Sequence, residues 1–421
     1  MALYNYNNIS NLGAYAASLL AVFWYIIVFI IVLKFIQFVA IALSPRYINR
    51  STRPVFTNRR GGSSMAHSRP FPFPFRGEEE LKSTGQPVAP STSETNNSPI
   101  EYEASPADVF AVKKLLMAAG SLPLELADMI VDQAEYWPCS TVAVDYSNVP
   151  RRLLGIRGGH NDQDKFLLRT EPVGLSSWTP PNHDAWRSTQ SVPRKLQAEF
   201  GSDAFQEFVE EPSPVSKGLV RKIVFNIRSC DQGWGGGPND HGTYRGSWTW
   251  FDAGLERFDS EAKPDEGCPW HSTDEDKEHN NRISSCAVRP VWPTVASATG
   301  NEGNEEGNEG GNEEGNEEDA AAPPQYIHDP FPSDEHKIQA NKVATAGMLQ
   351  HQVVWRWNDD IDPDSSDAED LEKNGRGKAT GNGNFVRSIK LGDIITVWGR
   401  SRFPGWENRV EKVEVKVYWA V

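Results

Sequence analysis

A chain of 421 residues with a formal net charge of -15 is long enough for two or three domains. It is too acidic for a general nucleic-acid binder, which needs a basic surface, so no nucleic-acid partner is expected. Nine of the negative charges, eight Glu and one Asp, sit in the single tract 301–319. Four cysteines, at 139, 230, 268 and 286, are too few and too scattered for a disulfide-built scaffold.

The chain opens with an uncharged, polar-aromatic tail over residues 1–18, and from Gly13 to Leu33 there is no charged residue. After Lys34 the apolar run resumes to Leu43. A helix from Leu19 to Leu43, carrying Trp24, Ile30 and Lys34, would be roughly 37 Å long, enough to cross a hydrocarbon core of about 30 Å. A cleaved signal peptide would need a basic start and a much shorter apolar stretch. The segment 19–43 is therefore expected to be a single transmembrane helix, with the lipid bilayer as partner. Seven arginines follow between 46 and 76 with no acid among them, and nothing charged precedes the span. By the positive-inside rule the N-terminus lies outside or in the lumen and the C-terminus in the cytosol. Residues 44–104, rich in Pro, Ser, Thr, Asn and Arg, read as a disordered tether.

Order is expected to return with a helical hairpin over 105–138. Ser105 is a helix cap, Pro106 occupies the first helical position, and Asp108 stands three residues after the cap. Val109, Val112 and Leu116 keep helical spacing up to Gly120. A second helix starts at Pro123 and puts Leu126, Ile130, Ala134 and Trp137 on one face, with Pro138 closing it. Its opening, LPLELADMI, resembles the start of an F-box, and that resemblance implies docking onto a ubiquitin ligase as an adaptor. Leu-Pro before an amphipathic helix is also simply a good helix start.

From residue 139 onward the chain reads as strands. Candidates are Ser140–Val144, Asp164–Thr170, Ile223–Arg228, Tyr244–Asp252, Gln352–Asn358, Phe385–Arg400 broken at Gly392-Asp393, and Glu411–Ala420. In the last, Val413, Val415, Val417 and Trp419 face one way and Lys412, Glu414, Lys416 and Tyr418 the other. Period-two alternation between Gly, Asn and Asp breaks predicts a mainly β chain, with residues 139–421 forming an antiparallel β-sandwich or jelly-roll-like domain. Two insertions, about 299–320 and 359–384, lack a hydrophobic set and are expected to be disordered surface loops.

The most site-like stretch is Ser229–Tyr244, SCDQGWGGGPNDHGTY. Asp231, Asp240 and His241 could converge on a cation or polar ligand, Trp234 could supply a stacking face, and Tyr244 closes the loop. The same composition also makes an ordinary glycine-rich turn whose Asp and His cap backbone groups. Cys268, His271, His279 and Cys286 are the right residue types for zinc, but the spacing of the second pair is not that of a finger. No cofactor is therefore expected. Cys230 has no base fixed by sequence, and no catalytic residue is identified. Trp248, Trp250, Trp355, Trp357, Trp398 and Trp419 form an aromatic ladder that is either core or a sugar-binding surface.

AEYWP, LLRTEPVGL, DQGWGG, SWTWF, GDIITVWGRSRFPGW and VKVYWAV together resemble a group of uncharacterised filamentous-fungal proteins. The resemblance implies a Trp-rich β domain behind a helical hairpin and no activity. The expectation is a membrane-anchored binding or scaffold protein whose sandwich recognises a protein or small ligand. The alternatives are the F-box-like adaptor and a metal-dependent hydrolase using Asp231, Asp240 and His241.

Overall fold

The computed structural model describes residues 103–148, 152–180, 182–211, 213–215, 218–262, 283–296 and 324–421, all within one compact unit, Thr95–Val421. The apolar run and almost all of the tether, Cys268, His271 and His279, and the Asn-Glu-Gly repeat lie outside the described residues. Among the described residues, no helix is long and apolar enough to cross a membrane.

Among the described residues, ten strands make two antiparallel sheets, the arrangement of a β-sandwich. In sheet 1, β10 (Glu407–Trp419) is flanked by β1 (Cys139–Asp145) and β4 (Val220–Cys230). β8 (Leu349–Arg356) adds to β4, and β2 (Leu154–Arg157) also pairs with β10. In sheet 2, β9 (Ile394–Ser401) and β5 (Thr249–Phe258) are central. β3 (Asp164–Arg169) pairs with β9, while β6 (Val288–Trp292) and β7 (Lys337–Ala340) pair with β5. β10 organises sheet 1 because its valines recur every second residue. Val415 lies opposite Val142 on one side and Phe225 on the other. Val413, Val415 and Val417 meet Ile223, Phe225 and Ile227 of their own sheet and Phe251, Ala253, Ile395 and Val397 of the other, all fully buried in one core.

Sheet 2 is also covered on its outer side. Trp178, Trp186, Phe205 and Phe208 from the segment after β3 pack with Phe258, Val288 and Ile394 into a second core. This core covers the Ile394 end of β9, and Tyr326 and His328 pack on Trp398 toward its other end, so all eight residues of β9 are buried. Polar groups trapped on that face are paired. Arg169 reaches Glu256 with two bonds of 2.6 and 3.0 Å and donates to the carbonyls of Trp186 and Thr189. Arg400 bridges Asp252 at 3.0 Å and Asp164 at 2.9 Å and donates to His328 Nδ1 at 2.7 Å.

Two helices, Pro106–Gly120 and Leu124–Gln133, precede β1. Ser105 and Asp108 form the expected capping box. The second helix packs one residue out of phase with the sequence expectation. Ala127 and Val131 are buried, whereas Leu126 is 40% exposed and Ala134 is exposed; of the expected face, Ile130 is half-buried and Trp137, just beyond the helix, is buried. Two polar anchors set that rotation: Asp132 accepts from Arg221 and from the Trp137 indole, and Asp128 pairs with buried Lys113.

Three other expectations are corrected. Residues 359–384 are ordered, with a helix at Ser366–Lys373 and a 3-10 turn at Lys378–Asn382. The segment needs few apolar groups because backbone bonds fix it: Ala340 donates to Gly375, and Gly377 donates to Lys337. The strand expected at Tyr244–Asp252 begins only at Thr249, and residues 241–246 are turn. Phe385 lies in a short helix, Asn384–Ser388, where its ring packs edge-on against Trp355, so the strand there starts at Ile394.

Candidate functional site

The ends of β2, β4 and β9 and the starts of β3, β5, β8 and β10 meet at one end of the sandwich, as the registers Cys230↔Arg409, Ser229↔Leu349, Thr249↔Ser401 and Asp164↔Arg400 require. Four loops therefore converge there: 158–163, 231–248, 341–348 and 402–406. Binding residues commonly sit on such loops because the sheets hold them rigidly.

The five residues singled out in the 231–244 loop separate into different roles. Asp231 is fully buried, and its carboxylate accepts from the backbone N–H groups of Gly233, Ala344 and Thr345 at 2.7–2.8 Å. It clamps the 231–248 loop to the 341–348 loop and has no face left for a ligand. Asp240 accepts from Arg245 Nε at 2.5 Å, and its backbone N–H bonds Gly237 in a tight turn. His241 is exposed beside it. Asp231, taken up by its backbone bonds, does not join Asp240 and His241 around a cation or polar ligand. Among the described residues, no group of three or more His, Cys, Asp or Glu side chains could hold a metal ion. Cys286, the described member of the zinc candidates, is disulfide-bonded and so offers no thiolate. Cys230 is a buried thiol whose pKa burial pushes up to about 11, the opposite of an activated nucleophile.

Trp234 does occupy a surface site. Its indole is 61% exposed and rests on the 402–406 loop, where Gly405, at φ +95°, leaves room for it. A Cβ at 405 would lie 3.1 Å from the indole ring, so glycine is needed both for the backbone angle and for the close approach. Gln232 fixes this arrangement. Its amide nitrogen donates to the Trp234 carbonyl, and its oxygen accepts from Glu407 N–H at 3.0 Å.

Beneath Trp234 lie two adjoining depressions of about 230 and 390 Å³ that share Arg157, His160 and Glu407. Trp406 and Arg409 complete the first, and Asp162 lies in the second. Arg157 Nε donates to Glu407 at 3.1 Å and Arg409 Nε at 2.8 Å. Burial acts to raise the Glu407 carboxyl, but these two guanidinium groups hold it below its ordinary value. The groove thus offers an aromatic face above a fixed row of donors and acceptors. Apart from Trp234 and the bracing Gln232, its residues come from β2, β10 and two other loops. No spacing in the sequence marks them, and only the strand registers bring them together.

The aromatic ladder is mostly interior. Trp250, Trp355, Trp398 and Trp419 are buried, and Trp248 and Trp357 are half-buried. A larger cleft of about 800 Å³ opens at the other end of the sandwich, near Arg257 and Asp393. Most of its charged rim is paired internally, since Arg257 pairs with Asp393 and Glu199, and Lys390 pairs with Glu199. The groove under Trp234 is distinguished by its exposed aromatic ring, which makes it the candidate recognition surface. No known family model matches the chain, and no curated protein or solved structure is found to be similar to it.

Proposed function

We propose that this chain is a single-pass, membrane-anchored binding protein whose jelly-roll-like sandwich recognises a polar, ring-containing ligand of the saccharide class in the Trp234 groove. The observation that carries the reading is the exposed Trp234 above a row of charged and hydrogen-bonding side chains, Arg157, His160 and Glu407. A sugar ring presents an apolar face to stack on an indole and hydroxyl groups to bond at its edge, so an aromatic platform beside fixed polar groups suits it. Membrane anchoring rests on the apolar run from Gly13 to Leu43.

Two observations pull the orientation in opposite directions. The seven arginines after the span favour a cytosolic sandwich. The disulfide at Cys286 favours an oxidising compartment, where disulfides persist and extracellular glycans occur. The saccharide reading follows the disulfide.

The test is a glycan array probed with the full-length protein and with Trp234→Ala, paired with protease protection of a C-terminal tag in sealed microsomes. Selective glycan binding by the native chain, weakened at least about tenfold in the variant, together with a protected tag, supports the proposal. Equal binding by both proteins, or none by either, overturns it.

A further inference from the structure

A second cluster lies apart from the groove, where Tyr244, Lys342, His351 and Arg376 come together from four segments of chain. His351 is on β8, on the inward side shared with Val353 and Trp355, and only 7% of it is exposed. Its Nε2 is buried and has no hydrogen-bond partner. The Tyr244 ring packs edge-on against the imidazole, with centroids 6.2 Å apart. Lys342 Nζ stands 5.4 Å from the centre of the Tyr244 ring. Gly375, at φ +82°, admits that ring, since a Cβ there would fall 2.7 Å from it. Arg376 follows and donates from one terminal nitrogen to the Gln352 carbonyl at 3.3 Å, while its Nε is buried without a partner.

The charge balance of this cluster is unusual. Among the described residues, neither Lys342 nor Arg376 pairs with a carboxylate. Burial lowers the Arg376 guanidinium, opposed only by Tyr244. His351 is pushed down to about 4, first by burial and then by Lys342 and Arg376, so near neutral pH it is an uncharged imidazole with one ring N–H to donate. Buried donors without acceptors are rare and costly, and two positive charges held together without a counterion repel. An acceptor-rich anion would offset both costs. The available groups are a guanidinium, an ammonium, an imidazole N–H and a phenol O–H, which suit the several oxygens of a tetrahedral oxyanion.

We propose that Tyr244, Lys342, His351 and Arg376 form a binding site for a small phosphate or sulfate oxyanion. The site is independent of the saccharide reading, because it shares no residue with the Trp234 groove.

The experiment titrates inorganic phosphate, and separately inorganic sulfate, into the purified full-length protein at ionic strength held constant with chloride. Thermal unfolding is followed, because a ligand that binds the folded state raises its midpoint in a saturable way. The expected result is a saturable rise for the native chain and an apparent affinity lowered about tenfold or more in both Lys342→Gln and Arg376→Gln. Lys342→Gln has a second signature: without anion its midpoint is unchanged or higher, since one repelling charge has gone. If Arg376→Gln does not fold, the half-buried Lys342 variant decides alone. A native response to both anions no larger than the chloride control, or a full response retained in Lys342→Gln, overturns the proposal.

Discussion

Sheet 1 shows alternating burial along β10, with Val413, Val415 and Val417 inside and Lys412, Glu414 and Lys416 only partly covered outside. In sheet 2, β9 is buried at every position and β5 at nine of its ten residues. On the outer side of sheet 1 the polar pairs are open to water: Asn226 with Glu414, Arg228 with Glu411, and Lys416 with Glu103. On the outer side of sheet 2 the pairs are sealed: Arg169 with Glu256 beside the second hydrophobic core, and Arg400 with Asp252 packed against His328, Trp292 and Trp398. The same chemistry therefore has different energetics on the two faces. A solvated pair adds little, because water already serves both charges. Removing one partner of a buried pair strands the other.

The largest effect expected from this contrast is at Glu256. Glu256→Ala leaves the charged Arg169 guanidinium in a dry interior without the Glu256 carboxylate, and should destabilise the fold by about 3–5 kcal/mol. Equilibrium urea unfolding measures this directly. A loss below about 1 kcal/mol would mean that water reaches Arg169, and that the outer face of sheet 2 behaves like that of sheet 1.

The same contrast explains what could be read from the sequence. Sheet 1 was legible because a strand solvated on one side has period-two alternation, and the facing of Val413–Trp419 follows from it directly. Sheet 2 was less so. Buried on both sides, β9 and β5 carry Arg, Asp and Trp at positions that alternation assigns to solvent. Nothing local indicates that the segment containing Trp178, Trp186, Phe205 and Phe208 folds over them. The short strands β2, β6 and β7 carry too few residues for any period to show. Residues 359–384 lack the apolar set that marks order, yet backbone bonds to β7 order them. Of the sequence-derived site, Trp234 stays exposed at the surface and Tyr244 joins a different cluster, while Asp231 is a clamp. Two of its three backbone bonds come from the 341–348 loop, more than a hundred residues away.

Histidines carry a second, intermediate test. His328 and His336 lie over sheet 2 and His351 lies on sheet 1. Their pKa values fall to about 3, 4 and 4, chiefly through burial. Each titrates near its ordinary value when unfolded, so between about pH 6.5 and 4 the unfolded chain binds more protons than the folded one. Their contribution is complete above about pH 6.5 and is lost as the pH falls toward 4. His351→Gln should flatten this loss by on the order of 2 kcal/mol. The comparison is made by urea unfolding at pH 7 and pH 4.5 in buffer free of phosphate and sulfate. An unchanged pH dependence in the variant would show that His351 is protonated or solvated in the native state.

The smallest expected effect completes the contrast on sheet 1. Glu414 accepts from Asn226 at 3.0 Å and from Lys412 at 3.1 Å. Burial acts to raise its carboxyl, but Lys412 and Asn226 hold it below its ordinary value. Glu414→Ala leaves Lys412 and Asn226 at a surface where water replaces the lost acceptor, so the cost should be about 1 kcal/mol or less. The small difference that remains should fade as the pH falls below the ordinary glutamate range, because the depressed carboxyl stabilises the fold only while ionised. The urea midpoint should move slightly at constant slope, since no core surface is exposed. If Glu414→Ala instead costs as much as Glu256→Ala, burial on both sides is not what separates the two sheets. The strength of each pair would then follow from its own geometry rather than from the face that carries it.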